Sequence, residues 1–151
     1  YVIIGHSENR LNGETNKLIN NKIRSALKSG LKIIFCIGET LQEKKKKITR
    51  QVLNKQIKLG LNKINDRKNI LIAYEPVWSI GTGIIPKSKE LFETINFIKK
   101  KIINHKVLYG GSVNTKNINE LKLIDNIDGF LIGGASQDSK KFIDIIKKTY
   151  N

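Results

Sequence analysis

Short apolar runs recur along the chain, and longer stretches with helical spacing separate them. The runs occupy residues 2–4, 32–37, 70–74, 106–109 and 130–132, and none alternates strictly between apolar and polar residues. Continuous apolarity is typical of parallel strands that are covered on both faces. The pattern therefore predicts five buried parallel strands.

Two of the stretches that follow the apolar runs carry an apolar stripe at helical spacing. A stripe of this kind packs one side of a helix against a sheet. We expect helices to start near Ser88 and near Asn114, because short polar side chains suit the first positions of a helix. The stripes consist of Leu91, Ile95, Ile98 and Ile102 in the first stretch, and of Phe142, Ile145 and Ile146 in the second.

The alternation of strands and helices predicts an α/β fold. Strands and helices in this order form a parallel sheet with right-handed crossovers, which is either an open doubly wound sheet or a closed (βα) barrel. Periodicity alone does not choose between these two. Both prolines, Pro76 and Pro86, fall in one loop, and no linker-like tract interrupts the pattern. We therefore predict that residues 1–151 belong to one domain without an internal boundary.

Length and composition are those of a globular protein. The chain has 151 residues, of which 39% are hydrophobic and 27% are charged, and this argues against disorder and against a disulfide scaffold. The sequence shows neither a transmembrane run nor a signal peptide. One cysteine, Cys36, can form neither an internal disulfide nor a metal cluster. We expect a cytoplasmic protein, or an organellar one if an upstream segment targets it, with no metal and no membrane partner.

The net charge of +15 raises the question of nucleic-acid binding, because clustered cations release counterions from phosphate backbones. Only four of the 28 basic residues are arginine, however, and lysine shares A- and T-rich codons with the abundant isoleucine and asparagine. We attribute the excess to base composition and expect no nucleic-acid partner. The lysine run at residues 44–47 is interpreted as a solvated helix face.

Glycine-rich segments follow two of the predicted strands, at the edge where either architecture places its working residues. The fourth and fifth strands each lead into Gly-Gly, at residues 110–111 and 133–134. Glycine lets the backbone approach a ligand, and the free N–H groups of a first helical turn attract anions. A Gly-Gly pair can also be a plain tight turn, but two of them in neighbouring units predict a phosphate site.

His6 and Glu75 follow the first and third predicted strands and are the side chains best suited to proton transfer. An imidazole can polarise a carbonyl, and a carboxylate in a dry site can take a proton from carbon. The alternatives are a structural histidine and a surface acid. His105 precedes a strand, which places it at the opposite end of the sheet and indicates a structural role. Residues 76–83 begin with Pro-Val-Trp and end with Gly-Thr-Gly, and they are a candidate lid.

These segments resemble the triosephosphate isomerase family. The candidate lid is close to the family signature, and residues 5–8, 109–113 and 129–136 occur in the family's order and at its separations. The resemblance implies that the chain forms about five units of a (βα)8 TIM barrel, as the C-terminal part of one domain. It also implies a homodimer that interconverts glyceraldehyde 3-phosphate and dihydroxyacetone phosphate through an enediolate, without a cofactor.

The resemblance assigns a role to each candidate site residue. Glu75 matches the catalytic base, and His6 matches a neutral imidazole that polarises the substrate carbonyl. Ser7 matches a residue that holds the base when the lid is open, and Glu8 matches one that pairs with a substrate-binding lysine. The positions that match phosphate contacts are Gly81, Ser112, Gly133 and Gly134.

The sequence departs from the family pattern at three points. Ser79 stands where many members have alanine, and Asn9 replaces an arginine. The chain begins at what resembles the fourth barrel strand, so no segment matches the Asn-x-Lys motif that follows the family's first strand and whose lysine holds the substrate phosphate. These features leave two hypotheses. Either the chain is the C-terminal part of a working triosephosphate isomerase, or it is a truncated, non-catalytic barrel fragment that acts as a binding or assembly module.

Overall fold

One parallel sheet of five strands organises the structure, a computed structural model that describes residues 1–150. Each strand pairs with the next strand along the chain, which gives the order β1-β2-β3-β4-β5. A doubly wound sheet reverses its strand order at a switch point, whereas a barrel does not. The order therefore confirms the predicted α/β fold and identifies its barrel type. The strands are β1 (Val2–Ile4), β2 (Ile33–Ile37), β3 (Ile70–Tyr74), β4 (Val107–Tyr109) and β5 (Gly129–Phe130).

Helices follow every strand. Two of them begin at threonine caps: the Thr15 hydroxyl accepts the N–H of Leu18, and the Thr40 hydroxyl accepts the N–H of Glu43. Within residues 1–150, none of the helices is both long enough and apolar enough to cross a bilayer. The α-helices are α1 (Ser7–Leu11), α2 (Asn16–Lys28), α3 (Leu41–Lys45), α4 (Thr49–Gly60), α5 (Ser88–Lys101), α6 (Ile118–Leu121) and α7 (Ser139–Tyr150), with 3₁₀ turns at Val77–Ser79 and Gly134–Gln137.

The hydrophobic core lies between the sheet and the helices. Alternate strand residues point toward the helices, as Phe35 does from β2, and the predicted stripe of α5 meets them. Leu91, Ile95 and Ile98 of that stripe are fully buried, and α5 begins at Ser88 as expected. Burying a side chain of this size contributes about 1.5–3 kcal/mol, so the stripe fixes α5 against the sheet.

The face of the sheet opposite the helices is only partly covered. Ile3 is 48% exposed, and Ile34, Leu71 and Leu108 are half-buried. The expectation that the strands are covered on both faces is therefore wrong for residues 1–150. This face is the inner side of a barrel-type sheet, where side chains from all the strands of a closed barrel would pack, and five strands do not close around it.

Local structure differs from the expectations near the end of the chain. Asn114 does not start a helix, because its side-chain oxygen accepts the N–H groups of Lys116 and Asn117 and forms a turn before α6. In α7 Ile145 is buried, whereas Phe142 is 36% exposed. The difference arises because α7 packs mainly on α6 and on the 3₁₀ turn Gly134–Gln137.

Candidate active site

A cavity of about 370 Å³ lies at the C-terminal edge of the sheet. The structure brings into its lining the two predicted catalytic residues and the four predicted phosphate contacts, although they come from four different βα connections. Ser7 and Glu8 stand outside the lining; Ser7 is buried at the start of α1, and Glu8 is exposed. The predicted residues in the lining are His6, Glu75, Gly81, Ser112, Gly133 and Gly134.

His6 and Glu75 face each other at this cavity. Nε2 of His6 lies 3.4 Å from Oε1 of Glu75. Nδ1 of His6, the residue before α1, accepts the backbone N–H of Glu8 at 3.4 Å. A ring nitrogen that accepts a hydrogen bond carries no proton, so the ring nitrogen that carries the N–H is Nε2. The helix terminus thus directs a hydrogen-bond donor into the cavity.

Glu75 is a buried carboxylate whose backbone is fixed by β2. Its side chain is 4% exposed, and its N–H donates to the Ile37 carbonyl at 2.8 Å. Burial raises the pKa of Glu75, an effect that His6, Cys36 and the Arg10 guanidinium oppose. A carboxylate with a raised pKa is a stronger base than one on the surface. The surface-acid interpretation of Glu75 therefore does not hold.

Within residues 1–150 there is no hydrogen bond between Ser7 and Glu75, and the role of Ser7 in holding the base stays a prediction. The polar side chain that Glu75 contacts across the cavity is His6. Behind it, Cys36 is fully buried, and burial together with the neighbouring Glu75 raises the pKa of its thiol. The thiol is consequently a neutral packing group and not a nucleophile.

Arg10 supports the loop that carries His6, a role that sequence reasoning missed. Its guanidinium donates to the carbonyl of Gly5 at 2.7 Å, to the carbonyl of Cys36 at 2.9 Å and to the side-chain oxygen of Asn16 at 2.8 Å. These bonds tie the loop to β2 and to α2. The sequence signal was weak, because nothing in the spacing of Arg10 shows that it reaches strand carbonyls.

Residues 76–83, which we call the lid segment, border the cavity through Ile80 and Gly81. The segment starts with the 3₁₀ turn Val77–Ser79 and ends in exposed residues. Gly81 and Gly83 have φ values of 69° and 78°, a region that glycine adopts without steric cost. The structure thus has a glycine-ended loop beside the site, as the sequence predicts. Its role as a lid stays a prediction.

Glu39 anchors the start of the lid segment and was also missed from the sequence. It is 1% exposed, and its carboxylate accepts the indole N–H of Trp78 at 2.9 Å and the hydroxyl of Tyr74 at 3.1 Å. Burial raises the pKa of Glu39, and the Trp78 hydrogen bond opposes that rise. Glu39, which follows β2, thus accepts two hydrogen bonds and fixes the position of Trp78 in the lid segment.

Lys44 packs on the other side of the same tryptophan. Its ammonium nitrogen lies 3.6 Å from the centre of the Trp78 ring and 2.7 Å from a carboxylate oxygen of Glu90. The interpretation of residues 44–47 as a solvated helix face is therefore wrong for Lys44, because a cation over an indole ring is a specific contact. Helix α3 also ends at Lys45, inside the run.

Replacing Glu39 by alanine should release Trp78 from this anchor. The substitution leaves the buried Tyr74 hydroxyl and the half-buried Trp78 N–H without an acceptor, so we expect a loss of about 2–4 kcal/mol in the free energy of unfolding. Trp78 is the only tryptophan, so its emission should shift to longer wavelength and can be followed directly during urea unfolding. The control is Glu93→Ala, at an exposed position of α5. An unchanged emission maximum in Glu39→Ala would contradict the anchor.

A larger depression of about 930 Å³ lies at the opposite, N-terminal edge of the sheet. Among its lining residues are Arg67, Lys68, Lys101 and His105, and none of those described is a carboxylate. His105 thus lies at the edge where it was expected, with Nδ1 3.0 Å from the Ile103 carbonyl. Without an acid beside it, this histidine has no partner for the chemistry considered above.

The order of the strands and the position of the site define the class of protein. It is an α/β domain of the barrel type with its cavity at the C-terminal ends of the strands, where proteins of this class carry their active sites. The family model for triosephosphate isomerase matches residues 1–149. The chain belongs to the triosephosphate isomerase family.

Curated relatives from several bacteria agree with the family model. The chain is 45% identical to the triosephosphate isomerase of Thermodesulfovibrio yellowstonii over 97% of this chain and 63% of the relative. The corresponding protein of Prosthecochloris aestuarii is 43% identical over 97% and 62%, and that of Leptospira biflexa is 45% identical over 97% and 64%. The chain thus spans just under two thirds of the length of these relatives.

Proposed function

We propose that this chain carries the catalytic pair and the phosphate-binding loops of a triosephosphate isomerase, which interconverts glyceraldehyde 3-phosphate and dihydroxyacetone phosphate. The observation that carries the proposal is the contact of 3.4 Å between His6 and Glu75 in a cavity that the glycine-rich loops also line. Family membership supports a small phosphorylated substrate, and we also propose a homodimer on that basis.

Glu75 acts as the base in this proposal. Its carboxylate takes the proton from the carbon beside the substrate carbonyl, and the electrons of that C–H bond form the carbon–carbon double bond of an enediolate. The Nε2–H of His6 donates to the carbonyl oxygen on which negative charge develops. Nε2 of His6 then gives its proton to that oxygen and takes the proton of the neighbouring hydroxyl group. Return of the proton from Glu75 to the former carbonyl carbon completes the isomerisation, so proton transfers by these side chains suffice without a cofactor.

The phosphate lies in this proposal at the far side of the cavity, against backbone N–H groups. Gly133 and Gly134 precede and begin the 3₁₀ turn after β5, and a Cβ at either would meet no atom within 4 Å. A ligand therefore has room to approach the backbone there. Gly81 in the lid segment and Ser112 after β4 complete the set, as the resemblance implies.

Ser7 and Glu8 support the site from α1. Glu8 supplies the backbone N–H that His6 accepts, which sets the tautomer of the ring. The Glu8 carboxylate is exposed, and in the proposal it pairs with the substrate-binding lysine of a closed barrel. The resemblance assigns no residue of this sequence to that lysine, so we expect the activity to require barrel units in addition to residues 1–151.

A second candidate function is binding or assembly without catalysis. It is favoured by the apolar inner face of the sheet, where Ile3 is 48% exposed, because an uncovered apolar face promotes association. A coupled assay of triose phosphate interconversion separates the two functions. The full-length gene product should be active under the first proposal, and lack of activity in that product, with its fold intact, would favour the second.

The raised pKa of Glu75 should appear in the pH dependence of kcat/KM. The base must be ionised, so activity falls as the pH drops through the pKa of Glu75, which burial places above the usual glutamate value of about 4.3. The nearby Glu8 charge also raises this pKa. Glu8→Gln should therefore move the acid limb to lower pH. A limb at the ordinary glutamate value, or one that Glu8→Gln moves upward, would contradict the assignment of Glu75 as base.

A further inference from the structure

Ser79 places a buried hydroxyl where the lid segment, β4 and the loop after β4 meet. The residue is 0% exposed. Its Oγ donates to the carbonyl of Ile84 at 2.6 Å, accepts the backbone N–H of Ser112 at 3.2 Å and lies 3.0 Å from the hydroxyl of Tyr109. A serine hydroxyl has one donor and two acceptor sites. All three sites of Ser79 form hydrogen bonds, so its hydroxyl does more than fill space in the core.

The surroundings fix the direction of each hydrogen bond. Burial raises the pKa of Tyr109 to about 12, so its hydroxyl keeps its proton. Because the proton of Ser79 goes to Ile84, the Tyr109 hydroxyl donates to Ser79. A Cβ at Gly111 would lie 2.3 Å from the Tyr109 hydroxyl and 2.7 Å from Ser79 Oγ. The loop after β4 reaches Ser79 only because residue 111 is glycine.

The same hydroxyl closes residues 79–84, which we call the tip, into a compact turn. The bond from Ser79 to Ile84 joins the 3₁₀ turn to the residue after Gly83. Within this turn the Thr82 hydroxyl donates to the Ser79 carbonyl at 3.0 Å and accepts the N–H of Ile84 at 3.1 Å. Any change at Ser79 Oγ is therefore transmitted to both ends of the tip.

We infer that Ser79 is a positioning residue that couples the lid segment to phosphate binding, because its hydroxyl and the phosphate compete for the N–H of Ser112. The inference rests on the proposed function, in which Ser112 contacts the phosphate. A phosphate oxygen that accepts this N–H releases one bond between the lid segment and the body of the protein. The Ser79 hydroxyl then keeps its bonds to Tyr109 and Ile84 but loses its bond to the loop after β4, and the tip moves more freely.

Ser79→Ala provides the direct test. Removing the competing acceptor should strengthen the binding of inorganic phosphate about 3- to 10-fold, which is the range that one net hydrogen bond supplies. Trp78 stands next to Ser79 and is the only tryptophan, so its fluorescence reports the titration. Tyr109→Phe is the matched control, because it removes the other buried hydroxyl of the cluster and leaves the Ser79–Ser112 bond. It should change the phosphate affinity less than about 2-fold.

Amide hydrogen exchange without phosphate supplies a second measurement. The Ser112 amide should exchange faster in Ser79→Ala than in Tyr109→Phe, and Ser79→Cys, with its weaker acceptor, should act in the same direction. Equal phosphate affinities in the wild type and Ser79→Ala, or equal Ser112 exchange in the two variants, would overturn the coupling alone. Absence of phosphate binding in the wild type and in all variants would overturn the proposed function and the coupling with it.

Discussion

Glu75→Gln should lower kcat for triose phosphate interconversion about 10³-fold, within the range of roughly 10²–10⁴ that a positioned general base contributes. The amide has the shape of the carboxylate, so the cavity keeps its form, but it cannot take a proton from carbon. KM should change little, since the carboxylate acts mainly in the transition state. The measurement is steady-state kinetics on the full-length gene product that carries this chain.

Three comparisons make this expectation specific. Glu93→Gln removes an exposed carboxylate from α5 and should leave kcat unchanged. Glu75→Asp keeps the charge but withdraws it from the His6 ring, and His6→Gln removes the imidazole; each should lower kcat far more than it changes KM. A Glu75→Gln variant with normal kcat and a raised KM would assign the carboxylate to substrate binding instead of proton transfer.

The strands could be predicted from the sequence because their burial is local information. Residues 33–37 and 70–74 are apolar at every position, and the structure makes strands of both. The coverage of the inner face could not be predicted in the same way. Ile3 is as apolar as Ile33, yet Ile3 is 48% exposed and Ile33 is fully buried. Ile33 lies on the face that the helices cover, whereas Ile3 lies on the inner face, which five strands do not close.

The residues of the candidate site likewise fall into two groups: those that local sequence information identifies and those that depend on tertiary packing. His6 and Glu75 were found because chemistry at the C-terminal end of a parallel strand converges on one edge, a rule that needs only the strand positions. Glu39 and Lys44 were missed because their partner is Trp78, more than thirty residues away in the sequence. Sequence spacing identifies the residues at the end of a strand, whereas the support of a lid tryptophan depends on how α3 and the lid segment pack.

The lysine excess shows how composition and position have to be separated. A net charge of +15 describes the whole chain and fits codon bias. Lys44 nevertheless has a defined partner on each side, the Trp78 ring and the Glu90 carboxylate. A general explanation for the number of lysines therefore does not exclude a specific contact for one of them.

The close approach of Gly38, the residue after β2, to Glu75, the residue after β3, leads to the second large expected effect. Gly38→Ala should lower the free energy of unfolding by at least about 3 kcal/mol, as an extreme case of overpacking. Its Cβ would lie 1.8 Å from the carbonyl oxygen of Glu75 and 2.5 Å from the carbonyl carbon. Gly38 cannot move aside easily, because the Gln56 side chain bonds both its N–H and its carbonyl at 2.9 Å.

Urea unfolding followed by Trp78 fluorescence measures this loss, and Gly134→Ala is the matched control. A Cβ at Gly134 would meet no atom within 4 Å, so that substitution should change the unfolding free energy by less than about 1 kcal/mol. If Gly38→Ala proves too unstable to purify, Gln56→Ala tests the same junction by removing the clamp without a clash, at a cost of about 1–3 kcal/mol. A Gly38→Ala variant as stable as Gly134→Ala would show that β2 and β3 separate here without cost, and that Glu75 is held by something other than the approach of the two strands.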